Sequence, residues 1–289
     1  MHVIAKDAAF VITDLSYLHQ NLYKCNCNTH SPAVLHIFPS APKAFSLSHL
    51  TAMVSGKKEV RPPEKISTSE PPNLFDGTTR LYISYVCPFA QRVWIARNYK
   101  GLQDEMELLP INLANRPSWY KEKVNPRNQV PALEHNKQVI GESLDLLYYL
   151  DVHFGGPKLL PDDPAKKEFS NELVKYSVDF IKDMYTACTA KEDVEKKLSL
   201  PFDYLENALS KFEDGPFFLG EFSMVDMVYA PFIERFHIFL LDVMKYDLTS
   251  GRPRLSTWFE EINKLDFYTQ TKCDPQQALK IFKERFSVK

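Results

Sequence analysis

"RLYISYVCPFAQRVWIARNY", residues 80–99, is the stretch whose reading decides the fold. Its first part, RLYISYV (80–86), alternates apolar and polar in the manner of a strand. Its second part, PFAQRVWIARNY (88–99), reads as a helix, with Pro88 suited to the first turn. Cys87 stands at the junction. Free cysteine is among the most buried residue types, so packing is one reading of it. Its place favours reactivity, because a thiol before a helix meets the unpaired N–H groups of the first turn and the positive end of the dipole. A thiolate so placed is expected to have a pKa of roughly 3.5–7.5 instead of about 8.5. Ala90 holds the position of the second sulfur of a Cys-x-x-Cys pair, so a dithiol oxidoreductase is disfavoured and a resolving thiol must come from outside.

Outward from this stretch the pattern stays mixed as far as residue 154. EMELLPI (105–111) is a second strand candidate. QVPALEHNKQVIGES (129–143) reads as a hairpin with its turn near His135-Asn136, and SLDLLYYLDVHF (143–154) as a helix. Strand, helix, strand, strand pair and helix make a small mixed sheet with helices packed on it. After GGPKLLPDDP (155–164) the periodicity is wholly helical, with Phe169, Leu173, Tyr176, Phe180 and Met184 spaced by three or four. In FSMVDMVYAPFIERFHIF (222–239), Ser223 and Asp226 have the spacing of a capping box, and Phe222 and Met227 that of a hydrophobic staple. The expected domains are 76–156, α/β, and 157–289, all-α.

Residues 1–75 differ from the rest and are expected to be a disordered extension and linker. From Leu15 to Lys58 there is no acidic residue, while serine and threonine recur. That is the composition of an organelle transit peptide, although Asp7 and Asp14 lie near the start and Met53 is an alternative initiator. Plastid and cytoplasmic locations both stay open. RPPEKISTSEPPN (61–73) is too rich in proline and polar residues to build a core, and is expected to be extended.

Bulk properties exclude several function classes. The 289 residues are 44% hydrophobic and 25% charged, as in ordinary globular proteins. A net charge of −2 offers no field to gather nucleic acid or anionic membrane, and no run reaches the roughly 18 apolar residues of a membrane span. Five scattered cysteines give no disulfide framework. Cys25, Cys27 and His30 in CNCNTH lack a fourth ligand at the usual spacing, so no metal is expected. His237 and Trp258 read as ordinary helix and packing residues.

A second segment of the α/β region complements Cys87. The backbone N–H and C=O of Val130, before Pro131, are placed to pair with an extended ligand, and X–Pro bonds adopt cis at a cost of only about 0.5–1 kcal/mol. Glu142-Ser143 opens the next helix, whose N-terminus suits a carboxylate, unless Ser143 is simply its cap.

Taken in order, CPFAQR (87–92), VPALEHN (130–136), GESLD (141–145) and FSMVDMVYAPFIERF (222–236) closely resemble plant lambda-class glutathione S-transferases. The resemblance runs from about Thr68 to the C-terminus. It implies a thioredoxin-like N-terminal domain followed by an all-helical domain, with glutathione as co-substrate between them. It makes Cys87 the catalytic residue, where other classes carry serine or tyrosine. Val130, next to a cis Pro131, would pair with the cysteinyl part of glutathione, and Glu142 and Ser143 would hold the γ-glutamyl end. Gln129 stands where the family often has lysine, keeping a donor for the glycyl carboxylate but losing a charge. Tyr85, Phe89 and Trp119 are candidate walls of an acceptor site for a hydrophobic or glutathionylated small molecule, although Tyr85 and Phe89 also suit a core. The implied activity is thiol transfer through a Cys87–glutathione mixed disulfide, in a monomer. A dehydroascorbate reductase would share the cysteine and fold, and a flavonoid carrier would leave Cys87 incidental.

Overall fold

The computed structural model describes residues 59–287. The transit-peptide, initiator and CNCNTH readings therefore lie outside the described residues. The order is β1 (Arg80–Ile83), α1 (Pro88–Tyr99), β2 (Glu107–Pro110), β3 (Ala132–His135), β4 (Gln138–Gly141) and α2 (Ser143–His153). Helices follow: α3 (Pro164–Thr189), α4 (Val194–Ala208), α5 (Met224–Phe239), α6 (Pro253–Ile262), the short α7 (Asp266–Thr269) and α8 (Pro275–Arg285). Single π-type turns run over Tyr120–Val124 and Leu240–Met244.

The sheet has the order β2-β1-β3-β4, with β1 and β2 parallel and the other pairs antiparallel. All four residues of β1 are buried, because the strand is central and covered on both faces. It is shorter than the 80–86 alternation predicts. The chain leaves the sheet after Ile83 and turns, the Cys87 N–H donating to the Ser84 carbonyl at 3.1 Å. Pro88 then starts α1 with a φ that proline already fixes and without the N–H that a first turn leaves unpaired anyway. The β3–β4 hairpin turns at Asn136-Lys137, one residue later than the sequence suggests, with φ of 50° and 60°. Those are type I′ values, which match the right-handed twist of the paired strands.

α1 is the central helix, packed against β1, α2 and α5. Even its polar residues Gln91, Arg92, Arg97 and Asn98 are buried. The apolar core on this side is continuous from Leu81 and Val93 of the α/β part to Phe180, Phe232 and Trp258 of the helical part. The opposite face of the sheet buries a smaller cluster around Tyr82, Leu109 and Tyr120. The helix α5 begins with Ser223 and Asp226 satisfying each other's backbone, a full capping box. Asp226 is fully buried and also accepts from the Trp258 Nε1–H at 2.8 Å. Among the described residues no helix is long and apolar enough to cross a membrane.

Residues 59–75 correct the expectation of a disordered linker up to residue 75. The segment is extended but docked. Lys65 forms a parallel bridge with Ile111, its N–H donating to the Pro110 carbonyl at 2.7 Å, which covers the open edge of β2. Glu59 forms a two-pronged ion pair with Arg97, both bonds at 2.8 Å. Arg61 donates to the carbonyls of Gln270 and Lys272, with its guanidinium 5.3 Å from the Tyr85 and Trp94 rings. Polar anchors from both domains hold this segment without a core of its own, a possibility that composition alone does not reveal.

Candidate active site

Cys87 is the N-cap of α1, with extended backbone (φ −87°, ψ 116°) and 3% exposure. Its thiol points across to the Val130 carbonyl, with Sγ to O at 3.7 Å. The Val130–Pro131 peptide is cis. The expected acidic thiol is not what the geometry gives. Burial pushes the Cys87 thiol up, against the N–H groups of Ala90 and Phe89 and the charges of Arg235 and Arg92, which pull it down. The dipole at the helix start favours the thiolate, but desolvation of the buried sulfur opposes it. Cys188 and Cys273 are also free and buried, and burial pushes Cys188 up to about 12. Among the described residues no cysteine is paired with Cys87.

Ser143 is buried at the first position of α2, and its Oγ accepts from Arg92 Nη1 at 3.2 Å instead of capping the helix. The N-cap is Glu142, at φ +65°, a conformation that costs a non-glycine residue on the order of 1–3 kcal/mol and persists only where the surroundings impose it. Its carboxylate is exposed and pairs with Arg127 at 2.9 Å. Gln129 is exposed, and its carbonyl accepts from the Tyr120 hydroxyl at 2.7 Å and from Asn125 at 2.8 Å. Cys87, Val130, Arg92 and Ser143 thus form one connected cluster between α1, the β3 approach and the start of α2.

Sequence reading did not find Arg116. It is half-buried, donates to the carbonyls of Leu113 and Asn128, and its charge is felt by both Cys87 and Tyr120. Nothing in its spacing marks it, since only the loop from β2 to β3 brings it to the sulfur.

The three acceptor-wall candidates do not come together. Trp119 is 6% exposed and belongs to the cluster on the far face of the sheet, away from that of Cys87, with its indole N–H spent on the Ser69 carbonyl at 2.7 Å. It is a packing residue. Tyr85 is half-buried, donates its hydroxyl to Pro62 O at 2.6 Å and leans on Trp94. Phe89 is half-buried edge-on to Phe232 of the helical domain, with centroids 5.0 Å apart. It packs across the domain boundary, two residues after Cys87.

Comparison with known proteins places this arrangement. The family described as "Glutathione S-transferase, N-terminal domain" matches residues 81–158, and "Glutathione S-transferase, C-terminal domain" matches 189–261. The chain is 60% identical to "Glutathione S-transferase L3" of Arabidopsis thaliana, over 79% of this chain and 96% of that one. It is 56% identical to "Glutathione S-transferase L2, chloroplastic" of the same plant, over 78% and 76%. A crystal structure of glutathione transferase Omega 1C from Trametes versicolor superposes with a TM-score of 0.62 at 27% identity, covering 73% of this chain and 97% of that one. The chain belongs to the glutathione S-transferase family, as an enzyme with a thioredoxin-like domain followed by a helical domain. Within the family its similarity is to the plant lambda class.

Proposed function

We propose that the enzyme is a glutathione-dependent thiol transferase that removes glutathione from disulfide adducts. The reading rests on one observation: where a hydroxyl would activate glutathione, the start of α1 offers the Cys87 sulfur, facing the Val130 carbonyl. A hydroxyl can only hydrogen-bond a glutathione thiolate, whereas a cysteine thiolate can also attack the sulfur of a glutathione disulfide. The Cys87 thiolate attacks the glutathione sulfur of an adduct R–S–SG, the S–S bond breaks, and R–S⁻ leaves and takes up a proton. The Cys87–S–SG disulfide is then attacked by a second glutathione thiolate, giving oxidised glutathione and the enzyme thiolate.

The residues around the sulfur fit the tripeptide. The Val130 N–H and C=O are the ladder groups for its cysteinyl part, Glu142 with Ser143 and the N–H groups that open α2 receive the γ-glutamyl end, and Gln129 lies toward the glycyl carboxylate. Arg116, at the adjoining Asn128, supplies the positive charge that Gln129 lacks. Phe89 with Phe232 forms an apolar wall for the departing R group.

The test is turnover of a glutathione mixed disulfide of a small hydroxythiol, coupled to reduction of oxidised glutathione. Wild type should act on it and conjugate chlorodinitrobenzene poorly, and Cys87→Ser should lose on the order of 100-fold or more. A Cys87→Ser enzyme that keeps its rate overturns the proposal. Faster turnover of dehydroascorbate than of the mixed disulfide would move the physiological acceptor to that compound. A plastid location is tested by following a fluorescent protein fused to residues 1–75, a monomer by light scattering.

A further inference from the structure

Two buried arginines, Arg92 and Arg235, act on the Cys87 sulfur through their charge, and neither has a carboxylate partner among the described residues. Arg235, on α5, is 2% exposed. Its Nη1 donates to Gln91 Oε1 at 2.6 Å and to the Pro231 carbonyl at 2.7 Å, and its Nη2 to the Val86 carbonyl at 3.4 Å. Val86 directly precedes Cys87, and the Gln91 N–H closes the first turn of α1 onto the Cys87 carbonyl at 3.0 Å. One guanidinium from the helical domain therefore grips the chain on both sides of the thiol.

The adjacent carboxylate does not neutralise it. Glu234 Oε2 accepts from Gln91 Nε2 at 3.2 Å and from the Tyr268 hydroxyl at 2.8 Å, while Oε1 has no partner among the described residues. The Gln91 amide thus stands between cation and anion, its carbonyl on Arg235 and its NH2 on Glu234. Arg92 is likewise 2% exposed. Among the described residues it bonds only the Val228 carbonyl and Ser143 Oγ, lies against the Phe89 and Phe232 rings, and leaves Nη2 unpartnered. A buried cation with only neutral acceptors is costly unless an anion is provided. The remaining ionisable groups that act on the sulfur are Arg116 and Tyr120 from the loop before β3, and Tyr185 from α3.

We propose that Arg235 is a positioning residue for the reacting thiolate: it fixes Val86 and Gln91 on either side of Cys87 and holds across the domain boundary the buried positive charge that the ionised sulfur balances. The helical domain then does more than form an acceptor wall, since it conditions the nucleophile of the other domain. This rests on Cys87 being the reacting thiol, but its readout does not use glutathione turnover.

The experiment is the pH dependence of Cys87 alkylation by iodoacetamide, followed on the Cys87 peptide by mass spectrometry, with Cys87→Ser as blank. Arg235→Gln should raise the midpoint by about one unit or more, while Arg235→Lys, which keeps the charge but not the fork, should stay within about half a unit of wild type. Both lose the grip on Val86 and Gln91, so a purely structural role would move them together. Equal midpoints in all three proteins, or equal shifts in both variants, overturn the proposal. Should Arg235→Gln not fold, Arg235→Met replaces it as the charge-free variant, with the same expected shift of about one unit or more and the same refuting outcomes. The expected pattern of midpoints in an enzyme that transfers no glutathione would instead refute the function proposed above.

Discussion

Changing Glu59 to glutamine removes one charge at the point where the N-terminal segment meets the fold. In the wild type both carboxylate oxygens accept from Arg97, at 2.8 Å each. Arg97 keeps neutral acceptors in the Met106 and Gln103 carbonyls and the Asn98 side chain, but Glu59 is its counter-charge. Breaking a fully buried pair costs about 3–5 kcal/mol, and an exposed pair is worth about 0–1. The Arg97 side chain is 1% exposed and that of Glu59 23%, so water reaches one partner only. The expected loss is about 2 kcal/mol, between those limits. In a protein of this size that lowers Tm by roughly 4–8 °C, since each kcal/mol moves it by about 2–4 °C. Thermal unfolding by circular dichroism on the full chain reads this directly, with Lys264→Gln as the control for an exposed pair. A Glu59→Gln protein that melts within about 1 °C of wild type would show that residues 59–69 are not part of the folded unit.

Three further outcomes follow from the same structure. Burial pushes Asp226 up to about 6, from 3.8. Between those values the native state holds a proton that the unfolded chain has lost, so this contribution to stability is present at low pH and disappears as pH rises through about 6. At about 1.36 kcal/mol per unit, urea unfolding should show the gap between wild type and Asp226→Asn narrowing by about 2–3 kcal/mol from about pH 4 to about pH 7.5, and a constant gap contradicts it. Tyr82→Phe strips the donor at 2.7 Å from the buried Glu134 carboxylate and should cost about 1.5–3 kcal/mol in the same assay, with no change there arguing against the buried network. Phe89→Ala should raise KM several-fold for an apolar glutathione adduct while Trp119→Phe leaves it unchanged, and the reverse ranking would restore Trp119 to the site.

Sequence patterns carried the parts of the fold that depend on neighbouring residues. Pro88 after Cys87 marks a helix start because proline's fixed φ and missing N–H suit only that turn. Ser223 and Asp226 give a cap because their spacing alone sets the geometry. The burial of the polar residues of α1 is not legible in the sequence, because their partners are remote in it. Arg97 finds Glu59, and Gln91 finds Glu234 and Arg235, only through tertiary folding. The acidity of the thiol is not legible for a related reason: the dipole is local, whereas the burial that opposes it is built by both domains. Trp119 is a candidate wall of the acceptor site from sequence, but the chain carries it to the other face of the sheet.

The central claim is that Cys87 forms the glutathione disulfide through which the enzyme turns over. The most direct test is the intact mass of the protein after oxidised glutathione, with peptide mapping to place any adduct, followed by reduced glutathione. The account predicts one adduct on the Cys87 peptide, absent from Cys87→Ser and lost on adding reduced glutathione. No adduct on that peptide, or an adduct unchanged in the variant, would contradict it.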